Sequence, residues 1–230
     1  MKAIIYTKYG PPDVLQLREI AKPVPNDNQV LVRVQAASAN ALDWRRFTMP
    51  TIFVRLMDGR VMKMLNTTLG VDLAGRVEAV GVNVTQFRPG DEVFGVAPGS
   101  FAEYACPAEN KLALKPANVS FEAAAAVPIA GFTALQGLRD NGRIQPGQKV
   151  LIYGASGGVG TFAVQIAKSF GAEVTAVCST RNLDMARSIG ADHVIDYTRE
   201  DFTQNGERPR SRDSRTLANF FSTMDYLPLD

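Results

Sequence analysis

The chain has 230 residues, 46% of them hydrophobic, and a formal net charge of +2. That is enough apolar material for one large domain or two modest ones with real cores, and the small positive excess is not gathered into a stripe, which excludes a nucleic-acid partner as an expectation. No stretch approaches the roughly 18 apolar residues of a membrane span, and the opening MKAIIYTKYG lacks the long apolar region of a signal peptide, so a cytoplasmic location is expected.

From the N-terminus to residue 118 the pattern is one of short strands punctuated by Gly, Pro and Asn. Ala3 to Tyr6, Leu15 to Ile20 and Val30 to Ala36 read as strands, the last alternating Val30, Val32, Val34 and Ala36 against Leu31, Arg33 and Gln35. Val71, Leu73, Gly75, Val77 and Ala79 alternate likewise, with Gly75 expected at a bulge or bend. Arg88-Pro89-Gly90-Asp91 is a turn leading into a strand at Glu92 to Val96, and Phe101 to Cys106 is another strand. No role is assigned to Thr51 through Leu69. The sum is a small, mostly antiparallel, β-rich module over 1–118.

The period then changes. Ser120 is placed to cap a helix over Phe121 to Ala126, and Pro128 to Leu138 is a second helical segment. Val150 to Tyr153 is a short apolar run of the kind buried on both faces of a parallel sheet. Val159, Phe162, Ala163, Ile166, Ala167 and Phe170 make one apolar stripe of a helix that Gly171 can terminate. Between them Gly154, Gly157, Gly158 and Gly160 form a turn whose backbone can approach a pyrophosphate at the positive end of the helix dipole. Against the dinucleotide fingerprint G-x-G-x-x-G, residues 155–160 read ASGGVG, with Ala155 in place of the first glycine. A second strand at Glu173 to Cys178, a helix over Leu183 to Ile189 and a third strand at His193 to Ile195 complete the context for a nucleotide-binding region over 119–207.

The segment after the second strand bears on which nucleotide. An NAD site usually places a carboxylate about 20 residues beyond the glycines, whereas Ser179-Thr180-Arg181-Asn182 has none and offers in Arg181 a guanidinium fork suited to a 2'-phosphate. The alternative is that Ser179 or Thr180 only caps the next helix and Arg181 is solvated. The reading favours NADPH. Cys106, Cys178 and His193 are the only thiols and imidazole, scattered and without C-x-x-C spacing. A structural zinc lobe is excluded, a catalytic zinc would need carboxylates to fill its shell, a disulfide framework is not supported, and no metal is expected. His193, opening a strand in the adenosine half, reads as structural.

These residues also carry a family resemblance. MKAIIYTKYGPPDVL, AASANALDW, GVDLAGRVEAVG, RPGDEVFG, SFAEYA, KPANVSFEAAAAVPIAGFTALQGL, VLIYGASGGVGTFAVQIAK and GADHVIDYTREDF occur in an order that resembles the medium-chain dehydrogenase/reductase superfamily, above all its zinc-independent quinone oxidoreductase branch and related NAD(P)-dependent alcohol dehydrogenases. The resemblance runs from residue 1 to about 208. It implies an α/β fold: an N-terminal GroES-like β-rich catalytic domain followed by a partial Rossmann domain, a doubly wound parallel sheet, with NADPH between them. The cysteine and histidine that ligate zinc in metal-dependent members fall at Asn40 and Val71, and the acid that follows falls at Asp72. The implied reaction is hydride transfer from NADPH to a quinone or an α,β-unsaturated carbonyl, with the substrate oxygen held by hydrogen bonds. Asn40 and Thr133 match residues lining the nicotinamide end, Ser156, Gly157, Gly158, Val159 and Gly160 match the pyrophosphate turn, and Ser179, Thr180, Arg181 and Tyr197 match the 2'-phosphate and adenosine end. Asp43, Trp44 and Arg45 either reach the substrate or form a solvated first helical turn, and Thr133 is alternatively a hydroxyl back-bonded within its helix.

After Glu207 the resemblance stops. The tail over 208–230, with Arg208, Arg210, Arg212 and Arg215 among Pro, Ser and Asp, is expected not to form a buried parallel strand. The strand at Val150 to Tyr153 would then present an open apolar edge, inviting homo-oligomer formation or association with another chain. A second reading follows: a non-enzymatic remnant that binds nucleotide weakly or associates with a partner.

Overall fold

The structure, a computed structural model, describes residues 1–48, 67–201 and 215–217. The chain divides into two compact units, Met1–Ile129 and Ala130–Asp230, a division beyond the 118/119 boundary expected from sequence.

In the first unit the strands form where the pattern predicts, though the alternation is not clean: Leu31 of the first long strand and Asp72 and Ala74 of the next are buried as well. Strands β1 (Lys2–Tyr6) and β2 (Gln16–Glu19) pair antiparallel, and β4 (Thr67–Thr68) joins the other side of β1. A five-stranded sheet in the order β7-β3-β5-β6-β8 is built from β3 (Val30–Ser38), β5 (Asp72–Val80), β6 (Glu92–Val96), β7 (Tyr104–Ala105) and β8 (Leu112–Leu114). Val30, Val32, Leu73, Val77 and Val93, on neighbouring strands of this sheet, bury together with Phe87, Ala97 and Ala105. The strand expected over Phe101 to Cys106 shrinks to two residues, and β8 had no clear alternation to announce it. The irregularity expected at Gly75 is beside it: β3 carries the extra residue, Gln35, between partners of Gly75 and Ala74. Gly75 itself is required by proximity, because a Cβ there would lie 2.3 Å from the Arg33 carbonyl oxygen. The Arg88–Asp91 turn forms, with Gly90 at φ +99° and the Arg88 amide donating to Asp91 Oδ2 at 3.0 Å.

Helix α1 (Ala41–Thr48) follows β3 directly, and its Phe47 packs with Tyr6, Val14 and Leu69 in a second small core. Ser120 caps α2 (Phe121–Ala125), its hydroxyl accepting from the Ala123 amide at 3.2 Å. Ala124 and Ala125 bury against Ala74 of β5, which is why this helix groups with the first unit. Helix α3 (Pro128–Leu135) then runs into a π-helical segment, Gln136–Asn141, so the expected helix to Leu138 changes its winding near the end.

The second unit holds a four-stranded parallel sheet, β11-β10-β9-β12, made of β9 (Lys149–Tyr153), β10 (Glu173–Cys178), β11 (His193–Asp196) and β12 (Arg215–Leu217). Helices α4 (Gly158–Ser169) and α5 (Leu183–Ser188) are the crossovers. Ala163, Val164 and Ala167 of α4 bury with Val150, Ile152, Val174 and Ala176, so small residues on the helix allow close approach to the sheet. Strand β12 corrects the expectation of an open edge. Arg215, Thr216 and Leu217 pair in register with Val150, Leu151 and Ile152. Ladder bonds use the main chain, and a terminal strand need not be apolar on both faces, so an arginine does not bar a three-residue edge strand. Arg208, Arg210 and Arg212 lie outside the described residues.

Candidate functional site

The glycine turn between β9 and α4 is a backbone device. Gly154 takes φ +74°, which an L side chain rarely adopts. The amides of Gly154 and Ala155 both donate to the Val177 carbonyl at 3.1 Å, tying the turn to the neighbouring strand. A Cβ on Gly160 would lie 2.2 Å from the Gly154 carbonyl oxygen and 2.8 Å from the Ala155 Cα, so Gly160 is required by the packing of helix on turn. Gly157 and Gly158 differ. A Cβ on Gly157 would make only a 3.4 Å contact, and one on Gly158 would meet nothing within 4 Å. Their missing side chains leave open space in front of the helix. Gly157 is also the N-cap and supplies no capping oxygen, so the first-turn amides, Val159 among them, have no side-chain cap. An uncapped helix N-terminus with a cleared approach fits a phosphate. Ser156 lies half-buried in the same turn.

The strand register brings the adenosine-end candidates to the same, carboxyl edge of the sheet: Tyr153 pairs with Val177, and Cys178 with Asp196. There Asp196, buried, organises two loops. It accepts from the Thr180 hydroxyl, from the Thr198 hydroxyl at 2.6 Å and from the Thr198 amide at 3.0 Å, and Arg199 sits 3.6 Å away. The Thr180 hydroxyl and then the Thr198 hydroxyl hold its carboxyl below the usual carboxylate range. Thr180 has therefore committed its proton to Asp196. Ser179 accepts from Asn182 Nδ2 at 3.1 Å and keeps its own proton, while the exposed Arg181 makes no hydrogen bond or ion pair with any described residue. Tyr197 and Tyr153 tilt against each other, ring centroids 6.4 Å apart, and with Thr198 through Asp201 they line an open recess of about 440 Å³. Sequence reasoning missed Asp196, although an acid closing the apolar run HVI and followed by hydroxyls was a readable signal.

In the first unit the structure gathers Asn40, Asp43 and Asp72 with Ser38. The Asn40 amide nitrogen of the main chain donates to Asp43 Oδ2 at 2.8 Å, and the Asp43 and Trp44 amides return to the Asn40 carbonyl. This reciprocal arrangement caps α1, so Asp43 is turned inward. It is buried, and burial pushes its carboxyl up; the Gly70 amide favours its charge slightly without making a well-formed bond to Oδ1. Asp72 is fully buried. Its carboxylate accepts from Asn40 Nδ2 at 3.0 Å, from Ser38 Oγ at 3.2 Å and from the Ile129 amide in the first turn of α3 at 3.2 Å. Burial outweighs these donors and pushes its pKa up to about 6. Trp44 is exposed and stacks edge-on with Phe47 at 5.3 Å, and Arg45 is half-exposed. Thr133 is buried within α3. His193 is exposed, its Nε2 3.0 Å from Glu173. Among the described residues, no three His, Cys, Asp or Glu side chains gather as a metal site.

Comparison with known proteins adds an independent line. The alcohol dehydrogenase GroES-like domain family matches residues 26–117, and the zinc-binding dehydrogenase family matches residues 158–207. The 2-methylene-furan-3-one reductase of Solanum lycopersicum is 41% identical over 216 residues, covering 88% of this chain and 53% of the relative. The solved quinone oxidoreductase from Coxiella burnetii superposes with a TM-score of 0.79 at 36% identity, covering 88% of this chain and 64% of the other. The Escherichia coli quinone oxidoreductase complexed with NADPH gives 0.77 at 32%, covering 87% and 60%. The chain thus spans about half the length of the curated relative and less than two thirds of the solved ones.

Proposed function

This chain belongs to the medium-chain dehydrogenase/reductase superfamily, in its quinone oxidoreductase-like branch, and from that premise we propose that it is a zinc-independent oxidoreductase passing hydride from NADPH to a quinone or an α,β-unsaturated carbonyl. The observation that carries the reading is the glycine turn: Gly157 and Gly158 clear the front of an uncapped helix terminus, and the guanidinium of Arg181, unpaired among the described residues, lies in the turn that leaves the adjacent strand of the same sheet. Two relatives support the substrate class, one named for a ketone conjugated to a methylene carbon and one for quinones. Both are acceptors whose electrophilic carbon is activated by a carbonyl.

When bound, the dihydronicotinamide supplies the hydride. The chain's own residues do the rest. First-turn amides of α4 and Ser156 take the pyrophosphate, while Ser179 as donor and Arg181 as cation take the 2'-phosphate. Thr180 acts one step back, holding its loop to Asp196. Asn40 and Thr133 serve the nicotinamide end.

Fluorescence titration with NADPH and NADH tests this. Micromolar NADPH binding is expected, with Arg181→Ala weakening NADPH about tenfold or more and leaving NADH unchanged, the loss of one charge-assisted contact. Equal losses for both cofactors would sink the 2'-phosphate assignment. Gly157→Val should abolish binding of both while lowering the melting temperature only by what a poorer N-cap costs, because its Cβ has room in the protein but not beside a phosphate.

A further inference from the structure

Asn40 is gripped at both ends. Its main-chain amide is held by Asp43, and its side-chain nitrogen faces two acceptors, Asp72 Oδ2 at 3.0 Å and Ser38 Oγ at 3.3 Å. The three distances among Nδ2, Asp72 Oδ2 and Ser38 Oγ make a nearly equilateral triangle, so both acceptors lie on one side of the nitrogen and one of its two protons is firmly committed there. The reverse orientation would press the amide oxygen against a carboxylate with no proton between them, in a buried site where that repulsion is strong. Asp72 cannot turn away either, since its oxygens also receive the Ser38 hydroxyl and the Ile129 amide. Among the described residues nothing donates to Asn40 Oδ1, and Asn40 is only half-buried.

We propose that Asp72 is a positioning residue that fixes which way the Asn40 amide faces, with Nδ2 turned to the carboxylate and the acceptor, Oδ1, presented to a ligand. The ligand group that Oδ1 takes is then a hydrogen-bond donor, an N–H or O–H. This deepens the oxidoreductase reading and rests on it only for the identity of the ligand.

The side-chain amide of Asn40 reports the lock without any ligand. In ¹⁵N-labelled full chain at pH 7.5, with the resonances assigned by their loss in Asn40→Leu, the Nδ2 proton facing Asp72 should exchange slowly, and Asp72→Asn should shift it and speed its exchange. Ser38→Ala, milder for folding, should move the same proton by less. Protons exchanging as in a solvated asparagine, or unmoved in both variants, would overturn the proposal. NADPH affinity then completes a cycle: Asp72→Asn and Asn40→Leu should each cost about tenfold, one hydrogen bond, and the double variant no more than Asn40→Leu alone. Additive losses would mean Asp72 acts only through stability, against the proposal. An intact amide signature in a protein that binds no NADPH would sink the proposed function and leave the role of Asp72 standing.

Discussion

Asp72 and Asp196 are two buried carboxylates at strand ends, each accepting a hydroxyl and a main-chain amide, yet their acidities move in opposite directions. Asp72 lies among β3, β5 and α3, and burial pushes it up to about 6 despite three donors. The nearby carboxylate of Asp43 pushes the same way. Asp196 lies at the rim of the second unit, where two threonine hydroxyls dominate and Arg199 is at hand, and it is held low. The number of hydrogen bonds does not decide a carboxylate's acidity; their balance against lost hydration does. One site holds a charge at a cost to stability, and the other draws stability from it.

The largest effect that would break this contrast is Asp72→Leu. It strands the Asn40 amide, the Ser38 hydroxyl and the Ile129 amide, at about 1 to 3 kcal/mol each. Relief of the buried charge offsets part of this. Denaturant melts at pH 7 should show roughly 4 kcal/mol lost. Asp72→Asn sharpens the contrast through pH. A carboxyl whose folded pKa is raised leaves the unfolded chain protonated less often than the folded one between the two values. Stability from this group is therefore full below about pH 4 and is lost as pH rises to about 6. The gap between wild type and Asp72→Asn should change by about 3 kcal/mol across that window and be flat above it. A gap independent of pH would mean that burial does not dominate at Asp72. Asp196→Asn should behave oppositely, and more weakly. Its stabilisation is present above the unfolded pKa near 4 and lost as pH falls, so the variant should differ from wild type at neutral pH and converge with it in acid. Should Asp196→Asn also loosen NADPH but not NADH, Thr180 and its loop would be confirmed as part of the 2'-phosphate grip.

Most of the fold was legible because it rests on local periodicities. Val30 through Ala36 alternate and form a strand; Val159 through Phe170 repeat at helical spacing and form α4. The glycines were legible as a group but not individually: Gly154 serves a left-handed turn, Gly160 a close contact, Gly157 and Gly158 an open approach. Strand β12 was misread because apolar content was taken as a condition of parallel pairing, whereas an edge position asks only for main-chain bonds. Thr180 was read as a ligand, and its commitment to Asp196 depends on β10 and β11 lying side by side. Asp43 and Asp72 followed Asn40 and Val71 in the chain as a candidate and a family landmark. Nothing in their spacing told that one grips the asparagine's backbone and the other its side chain.

By itself the sequence determined the family, the β-rich module before the parallel one and the glycine turn, since these follow from composition, period and short motifs carried by neighbouring residues. Only the tertiary structure decided what each polar group is free to do. Whether a hydroxyl, an amide or a carboxylate can meet a ligand depends on partners far away in the chain, Ser38 and Ile129 for Asp72, Thr180 and Thr198 for Asp196, and on how much water the surrounding packing leaves to each.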